Sequence, residues 1–380
     1  MKIEKKVYRN VFLELGLGES EIDKRVQDTF NAIFYGKNKF FHMNSDKTMG
    51  YMEDTGNHDV RTEGMSYGMM MCVQLNHKKE FDCLWNWART YMYLEEGENA
   101  GYFAWSVSPD GIKNAYGAAP DGEEFFAMAL FFASHRWGDG EGIFNYSKEA
   151  KKLLHTMIHK GEDGVGHAMW NPDNYLIRFV PELDFTDPSY HLPHFYELFA
   201  LWGNEEDRDF WRKAAEESRK FLTKACNINT GLSPEYSSFD GQPYVGEQEI
   251  FGKHDWYYSD AYRTIANIGL DYEWFARDTE YGAWCRNNAN KLQYFFKNTV
   301  KEANRKAYTV DGDILDEDAL HPVAITATNA QASLAADGEY ALECVRDFWN
   351  TPLREGDRRY YDNCLYMFAM LALSGNYRMY

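Results

Sequence analysis

The sequence predicts an all-α fold in which an inner ring of helices lies inside an outer ring. Apolar residues recur with helical periodicity along most of the chain, and the alternating strand–helix pattern of a parallel α/β sheet is missing. Turn sequences such as SPDG (108–111) and NPDN (171–174) separate the periodic segments. The predicted helices cover residues 19–36, 62–77, 79–93, 121–136, 146–160, 187–203, 205–227, 255–275, 278–298, 320–336, 337–349 and 358–374.

Three of these helices are expected in the inner ring because they are apolar on nearly every face. In chain order they carry TEGMSYGMMMCVQL, FFAMALFFAS and CLYMFAMLALSG. Thr62 is expected to cap the first of them, and Gly138 ends the second. About twelve helices can close as six hairpins. An open bundle or a helical solenoid is the alternative, although no sequence repeat supports a solenoid.

Length and charge limit the class of protein. The chain has 380 residues and no Pro-rich, Gly/Ser-rich or charge-block linker, so we expect one domain spanning residues 1–380. Lys and Arg number 40 against 59 Asp and Glu, which gives a net charge of −19. This negative field repels nucleic acids and anionic membranes, so neither is an expected partner. A neutral substrate is favoured, and no protein partner is implied.

The aromatic content and the first residues bear on the ligand and on the location of the protein. Aromatic residues make up 17% of the chain, and flat rings are what the faces of pyranose sugars stack on. No apolar run reaches the roughly 18 residues of a membrane-spanning helix. The first residues, MKIEKKVYRNVFLELG, lack the apolar core of a signal peptide. We therefore expect a cytoplasmic location.

No metal or other cofactor is predicted. The six cysteines show neither a CxxC pair nor a zinc-site spacing. His191 and His194 lie three residues apart in HLPH, a spacing that two metal ligands could use. No third ligand is evident nearby, so core packing or a hydrogen bond toward substrate is the favoured role of these histidines.

Three acidic residues lie where a loop turns into an apolar helix: Glu63, Asp121 and Asp260. In a barrel of helical hairpins the starts of alternate helices share one rim, so these side chains can meet. A pair of carboxyl groups across a sugar is the equipment of glycoside hydrolysis. Each residue alone could instead be structural, as a helix cap or, for Asp260, as an ion pair with Arg263.

Six longer segments carry a stronger signal than the acids alone. They are RTEGMSYGMMM, GYFAWSVSPDG, APDGEEFFAMALFFASHRWG, DPSYHLPHFYELFALW, SDAYRTIANIGLD and RRYYDNCLYMFAMLALSGN. Together they resemble glycoside hydrolase family 8, in the family's motif order and over nearly the whole chain. The resemblance implies an (α/α)6 barrel and an inverting mechanism. Members of the family include endoglucanases, lichenases, chitosanases, endo-xylanases and reducing-end xylose-releasing exo-oligoxylanases.

The resemblance also implies roles for individual residues. Glu63 matches the general acid of the family's Thr-Glu-Gly motif, and Asp260 in Ser-Asp-Ala-Tyr-Arg matches the general base. Asp121 in Pro-Asp-Gly matches the aspartate that holds the central sugar in a distorted shape. Tyr190 in Pro-Ser-Tyr matches a tyrosine that helps to hold the attacking water.

Two further positions and one loop are matched in the same way. Arg263 is similar to the arginine beside the base, and Trp105 resembles a residue that stacks on sugar at the centre of the cleft. The segment ALHPVAITATNA looks like the Leu-His-Pro loop of the exo-oligoxylanase group. In that group the loop closes the cleft beyond the first leaving-group sugar, so His321 would contact the reducing-end sugar. A helix-entry loop with an ordinary histidine is the alternative.

The implied roles are chemically coherent. An inverting enzyme holds its two carboxyl groups roughly 6.5–9.5 Å apart so that a water fits between. Negative charge on Asp121 and Asp260 would keep Glu63 protonated, whereas Arg263 would favour the charged form of Asp260. The helix N-terminus opposes the first of these effects.

We therefore expect a hydrolase that releases xylose from the reducing end of short β-1,4-xylo-oligosaccharides. The first alternative is an endo-acting xylanase or β-glucanase of the same family. The second is a sugar epimerase or a non-catalytic sugar binder on the same barrel, although epimerases of this fold use histidine bases and the acids here suit a hydrolase.

Overall fold

The computed structural model describes residues 6–246, 254–301 and 305–380, and it is mostly helical. The first five residues of the predicted domain lie outside the described part. The α-helices are α1 (Val11–Glu14), α2 (Glu19–Phe34), α3 (Thr62–Leu75), α4 (Lys78–Trp87), α5 (Pro120–Trp137), α6 (Tyr146–His159), α7 (Pro193–Trp202), α8 (Arg208–Ala225), α9 (Tyr262–Asp271), α10 (Glu280–Tyr294), α11 (Pro322–Gln331), α12 (Ala341–Asn350) and α13 (Arg359–Leu373).

The odd-numbered helices from α3 to α13 form the inner ring. Each contacts the next along the chain, and α13 contacts α3, which closes the circle. The helices α4, α6, α8, α10 and α12 each pack outside the inner helix that they follow, and α2 packs outside α13. The predicted inner and outer rings are confirmed, and the fold is an (α/α)6 barrel rather than an open bundle or a solenoid.

Burial follows the sequence pattern that distinguishes the two rings. In α5 every residue from Pro120 to Ala133 is buried, and α13 is buried from Tyr360 to Leu373. In contrast, α8 buries Trp211, Phe221 and other residues at helical spacing and leaves its charged face in solvent. A helix surrounded by neighbours has no polar stripe, whereas an outer helix needs one.

Strands form three small antiparallel sheets. The strand β1 (Phe41–Met43) pairs with β2 (Gly50–Met52), and β3 (Val60–Arg61) pairs with β4 (Ser106–Val107). The third sheet contains β5 (Trp256–Tyr257), β6 (Lys306–Thr309) and β7 (Ile314–Asp318), in that order. The pair β3–β4 matters for the site because β3 leads directly into α3.

Three helix predictions need correction at their starts. The predicted helix 187–203 begins with a separate 3₁₀ turn, Pro188–Tyr190, and its α-helix starts only at Pro193, because Leu192, which precedes a proline, is not helical. The predicted helix 255–275 begins with the strand β5 and a short 3₁₀ turn, Ser259–Ala261, because residues 256–257 pair with β6. Thr62 was expected to cap α3, but Arg61 occupies the N-cap position and no side chain caps there. The Thr62 side chain instead lies so close to Gly122 that a Cβ at residue 122 would be 2.5 Å from its Oγ1.

None of the helices in the described ranges is long and apolar enough to cross a membrane.

Candidate active site

A cleft of about 550 Å³ opens where the inner helices begin. Six of the seven predicted site residues line it: Glu63, Trp105, Asp121, Tyr190, Asp260 and His321. The seventh, Arg263, lies beneath the cleft floor, with only 4% of its side chain exposed. The structure therefore brings all the predicted residues to one place from segments far apart in sequence.

Glu63 is placed by the junction of a strand and a helix. The β3–β4 pairing and a bond from the Thr62 amide to the Trp105 carbonyl, 3.1 Å long, hold the first turn of α3. The Glu63 side chain is 14% exposed. Its Oε1 is 2.8 Å from the hydroxyl of Tyr360, which comes from α13 on the next side of the ring.

The guanidinium of Arg263 joins the carboxyl groups of the cleft. Its Nη1 donates to Glu63 Oε2 at 2.9 Å and to Asp121 Oδ2 at 2.9 Å. Its Nη2 lies 3.2 Å from Asp260 Oδ2. The resemblance implied an arginine beside the base, and the contacts extend further, because one buried cation bridges all three acids.

Asp260 lies in the 3₁₀ turn that precedes α9, and 24% of its side chain is exposed, more than for the other two acids. The preceding residue, Ser259, has φ +44°, a left-handed conformation that is costly for a residue with a side chain. This backbone turns the carboxylate toward both the cleft and Arg263. Such exposure is what a group needs if it is to accept a proton from a water.

Burial raises the pKa of the Glu63 carboxyl to about 8. The Arg263 guanidinium and the Tyr360 hydroxyl oppose this shift, and the negative charges of Asp121 and Asp260 add to it. Burial also raises the pKa of Asp121 above its ordinary value, again against the pull of Arg263. Glu63 is therefore protonated at neutral pH, chiefly because it is buried rather than because of its acidic neighbours.

Tyr190 belongs to a 3₁₀ turn, Pro188–Tyr190, that Asp187 caps by accepting from the Ser189 amide at 2.7 Å. The Tyr190 ring lies under the guanidinium of Arg263, with 5.4 Å between Cζ and the ring centroid. Asp187 is fully buried, and its Oδ2 is 3.7 Å from Arg263 Nη2. Burial and the charge of Asp260 raise its pKa well above the ordinary range.

Trp105 also lines the cleft. The guanidinium of Arg61 lies 5.4 Å from the centroid of its ring, and Arg61 is in turn bonded to Asp59 at 3.1 Å. A cation stacked on an aromatic ring limits the ring's freedom to turn. A flat ring fixed at a cleft wall suits stacking against a sugar face.

Leu320 and His321 form the rim where the loop enters α11. The Asp362 carboxylate of α13 accepts hydrogen bonds from the backbone amides of Val323 and Ala324, each at 2.9 Å. It also lies 2.9 Å from His321 Nδ1. Arg354 bonds the same carboxylate. A carboxylate can only accept hydrogen bonds, so the histidine donates to Asp362 through Nδ1, and in the neutral ring Nε2 is then the acceptor.

Several residues of this site were not predicted individually. Five residues belong to this group: Tyr67, Asp187, Tyr360, Tyr361 and Asp362. The last three lie in RRYYDNC, a segment that was matched to the family without a role for any single residue. Tyr67 is one helical turn after Glu63 and bonds Arg263 at 3.0 Å. Its spacing could have indicated that it shares the Glu63 face of α3.

The cleft is not suited to a divalent cation, because Arg263 already supplies the positive charge between the carboxyl groups. The two histidines of HLPH lie elsewhere. His191 bonds Thr186 and Ser218 at 2.9 Å each, and His194 packs edge-on against Trp274. Both histidines are buried, and neither lines the cleft. They therefore pack in the core, which was one of the two roles favoured from the sequence.

A double ring of helices with buried carboxyl groups at one mouth defines a glycoside hydrolase of the (α/α)6 type. The family model described as glycosyl hydrolases family 8 matches residues 34–375. The chain belongs to that family.

Two similar proteins share one name, and a third relative has a solved structure. The chain is 57% identical to a reducing end xylose-releasing exo-oligoxylanase of Halalkalibacterium halodurans, over 98% of this chain and 94% of that protein. It is 51% identical to a protein of the same name from Bifidobacterium adolescentis, over 97% of this chain and 96% of that one. The solved structure of Rex8A from Paenibacillus barcinonensis complexed with xylose is 55% identical, covers 98% of each chain and superimposes with a TM-score of 0.95.

Proposed function

We propose that this protein is an inverting hydrolase that releases xylose from the reducing end of short β-1,4-xylo-oligosaccharides. The observation that carries the proposal is the bridging of Glu63, Asp121 and Asp260 by Arg263 in one cleft. Relatives that are 51% and 57% identical over nearly the whole chain, each named for this activity, support the choice of substrate.

Glu63 is the general acid. Its Oε2 faces a guanidinium, which can only donate, so the carboxyl proton belongs on Oε1. The partner of Oε1 is the Tyr360 hydroxyl, which can accept that proton's hydrogen bond as well as donate. A substrate's glycosidic oxygen that takes the place of this contact receives the proton as the bond to the leaving xylose breaks.

Asp260 is the general base. It is the most exposed of the three acids, and Arg263 lies beside it at 3.2 Å. A water between Asp260 and the anomeric carbon attacks from the face opposite to the leaving group, and the carboxylate takes its proton. Configuration at the anomeric carbon is therefore inverted. Tyr190, whose ring lies against the same guanidinium, helps to hold this water.

Asp121 holds the central sugar. Its Oδ1 accepts from the Gly122 amide and its Oδ2 from Arg263, each at 2.9 Å, so the side chain cannot rotate freely. A fixed carboxyl group at the cleft floor can bond sugar hydroxyls only when the ring is bent toward the shape of the transition state. Trp105 stacks on a neighbouring sugar from the wall.

The rim formed by Leu320 and His321 closes the reducing-end side. His321 offers Nε2 to a sugar hydroxyl because Nδ1 is committed to Asp362. The same carboxylate holds the amides of residues 323 and 324, so the loop is tied to the barrel wall and resists displacement by a longer chain. One xylose unit then fits beyond the cleaved bond.

Product analysis tests the exo activity. With xylotriose as substrate we expect xylose and xylobiose in equal amounts, and almost no hydrolysis of polymeric xylan. A rapid fall in the viscosity of xylan or of carboxymethylcellulose would mean that the enzyme cuts internally, as the endo-acting alternative requires.

Substitution of the acid tests the site. Glu63→Ala is expected to lower kcat on xylotriose by at least about a thousandfold, because the leaving oxygen loses its proton donor. Glu53→Ala removes a partly exposed glutamate that pairs with His42 and serves as the control, with a rate near that of the unsubstituted protein. If Glu63→Ala retained most of the activity, the assignment of the acid would be wrong.

A further inference from the structure

A second cluster of metal-ligating side chains lies outside the cleft. His155 and His159 are one helical turn apart on α6, so both rings lie on the same face. Asp207, from the 3₁₀ turn Glu205–Asp207 that precedes α8, lies between them. The Asp207 carboxylate is 3.1 Å from His155 Nδ1 and 2.6 Å from His159 Nε2. None of these residues lines the active-site cleft.

We propose that His155, His159 and Asp207 bind a divalent transition-metal ion of the zinc class. One ligand atom from each residue lies within 4.8 Å of the other two. Ligands about 2.1 Å from a tetrahedral zinc ion are separated by roughly 3.4 Å, so small side-chain rotations complete the site. Two imidazoles and one carboxylate are a donor set that zinc accepts.

Partners around the cluster already orient the ligands. The Nδ1 of His159 lies 2.6 Å from Glu162 Oε1. A carboxylate that accepts from one ring nitrogen leaves the other nitrogen as the metal donor, which is the common arrangement around zinc-bound histidines. Asp207 Oδ2 is in reach of the Asn204 amide at 3.4 Å.

The site is buried on one side and open on the other. The Asp207 side chain is 2% exposed, whereas His155 is 48% and His159 31% exposed. An ion can therefore enter from solvent and keep water as its remaining ligand. Lys148 and Lys151 border the same groove, and their charge makes the affinity lower than that of a closed structural zinc site.

The bound ion would join two outer helices. His155 and His159 belong to α6, and Asp207 immediately precedes α8, so the ligands come from neighbouring hairpins of the barrel. Because the unfolded chain does not hold the three ligands together, binding stabilises the folded state. The role is structural, and hydrolysis by the metal-free protein is expected to proceed at the same rate.

Calorimetric titration of ZnCl₂ into the full chain, without an affinity tag and after dialysis against EDTA, tests the site. We expect one ion per chain, and His155→Ala should weaken binding at least about tenfold. His58→Ala removes an exposed histidine outside the cluster and should leave binding unchanged. No zinc binding, or equal binding by His155→Ala, would overturn the proposal.

Two further measurements separate a metal site from a simple ion pair. Glu162→Gln should also weaken zinc binding, by about tenfold, because the His159 ring loses its orienting carboxylate. Zinc should raise the melting temperature of the unsubstituted protein but not that of His155→Ala. The same rise in both proteins would mean that zinc acts elsewhere, and the proposal would fail.

Discussion

At the scale of single residues, Arg263 determines how the carboxyl groups of the cleft share charge. It is fully enclosed and touches Glu63, Asp121 and Asp260 within 3.2 Å. A lone buried carboxyl group would be neutral, and three together would repel each other. The single guanidinium offsets the mutual repulsion of these acids, whereas burial keeps the proton on Glu63.

The proton on Glu63 sets the alkaline limit of activity. The pKa of Glu63 is raised to about 8. As pH rises through this value Glu63 loses its proton, so kcat/KM should be nearly constant just below this pH and should fall above it. The decrease follows from the loss of the only proton that the leaving oxygen can receive. Initial rates on xylotriose at low substrate concentration measure this limb.

The Tyr360→Phe substitution should move the alkaline limb of the pH profile to higher pH. The Tyr360 hydroxyl stabilises the charged form of Glu63, so its removal should shift the alkaline limb to higher pH and lower the rate by roughly tenfold. Tyr91→Phe is the control, since Tyr91 lies outside the cleft lining. An unchanged limb in Tyr360→Phe would show that this hydroxyl does not act on the Glu63 proton.

At the scale of the elements, close helix contacts hold the acids in register. A Cβ at Gly64 would lie 2.4 Å from the Tyr360 hydroxyl, and one at Gly122 would lie 2.4 Å from Thr62 Cβ. The inner helices α3, α5 and α13 can approach this closely only with glycine at those positions. Gly64 thus sets the distance between α3 and α13, and Gly122 sets the distance between α3 and α5.

Asp362→Ala tests the link between α13 and the rim loop. The variant leaves Arg354 without its buried partner and the start of α11 without its acceptor, so the free energy of unfolding should fall by about 3 kcal/mol. Urea unfolding measures this change. Asp318→Ala, which removes an 86% exposed carboxylate paired with Lys306, is the control and should cost less than about 1 kcal/mol.

The same variant should change the products. With the Leu320–His321 rim released, a longer chain can pass the reducing-end side, and the ratio of xylan hydrolysis to xylotriose hydrolysis should rise. If Asp362→Ala is as stable as the control and keeps the same ratio, Asp362 does not support the rim.

Some elements could be predicted from sequence and others could not. The helices α3, α5 and α13 were predicted because a fully apolar helix has few alternatives to the inner ring. The strand Trp256–Tyr257 was predicted as helix because its partner, Lys306–Thr309, is about fifty residues away and local periodicity does not reveal it. The contact of Tyr360 with Glu63 depends on closure of the ring, which brings the last helix beside the first inner one.

At the scale of the whole molecule, the negative charge favours neutral oligosaccharides. The net charge of −19 surrounds a cleft whose own acids are partly neutralised by Arg263. Long-range repulsion acts on a charged ligand before any contact is made, and salt screens it. The charge thus selects against acidic branches without a specific clash.

Salt dependence measures this selection. For a xylo-oligosaccharide that carries a glucuronic acid branch, kcat/KM should rise several-fold between about 10 mM and about 500 mM NaCl. The unbranched oligosaccharide of equal length is the control, and its kcat/KM should remain nearly constant. An equal response of both substrates would show that the net charge has no part in substrate choice.

The enzyme is expected to recognise the reducing-end xylose and to cleave next to it. The most direct measurement compares hydrolysis of xylotriose with that of its reduced form, xylotriitol, which has an open chain in place of the last ring. We predict rapid release of xylose from xylotriose and no measurable cleavage of xylotriitol, because the alditol lacks the closed ring that we expect Leu320 and His321, which line the cleft, to contact. Cleavage of both substrates at similar rates would mean that the enzyme does not recognise the closed ring of the reducing-end xylose.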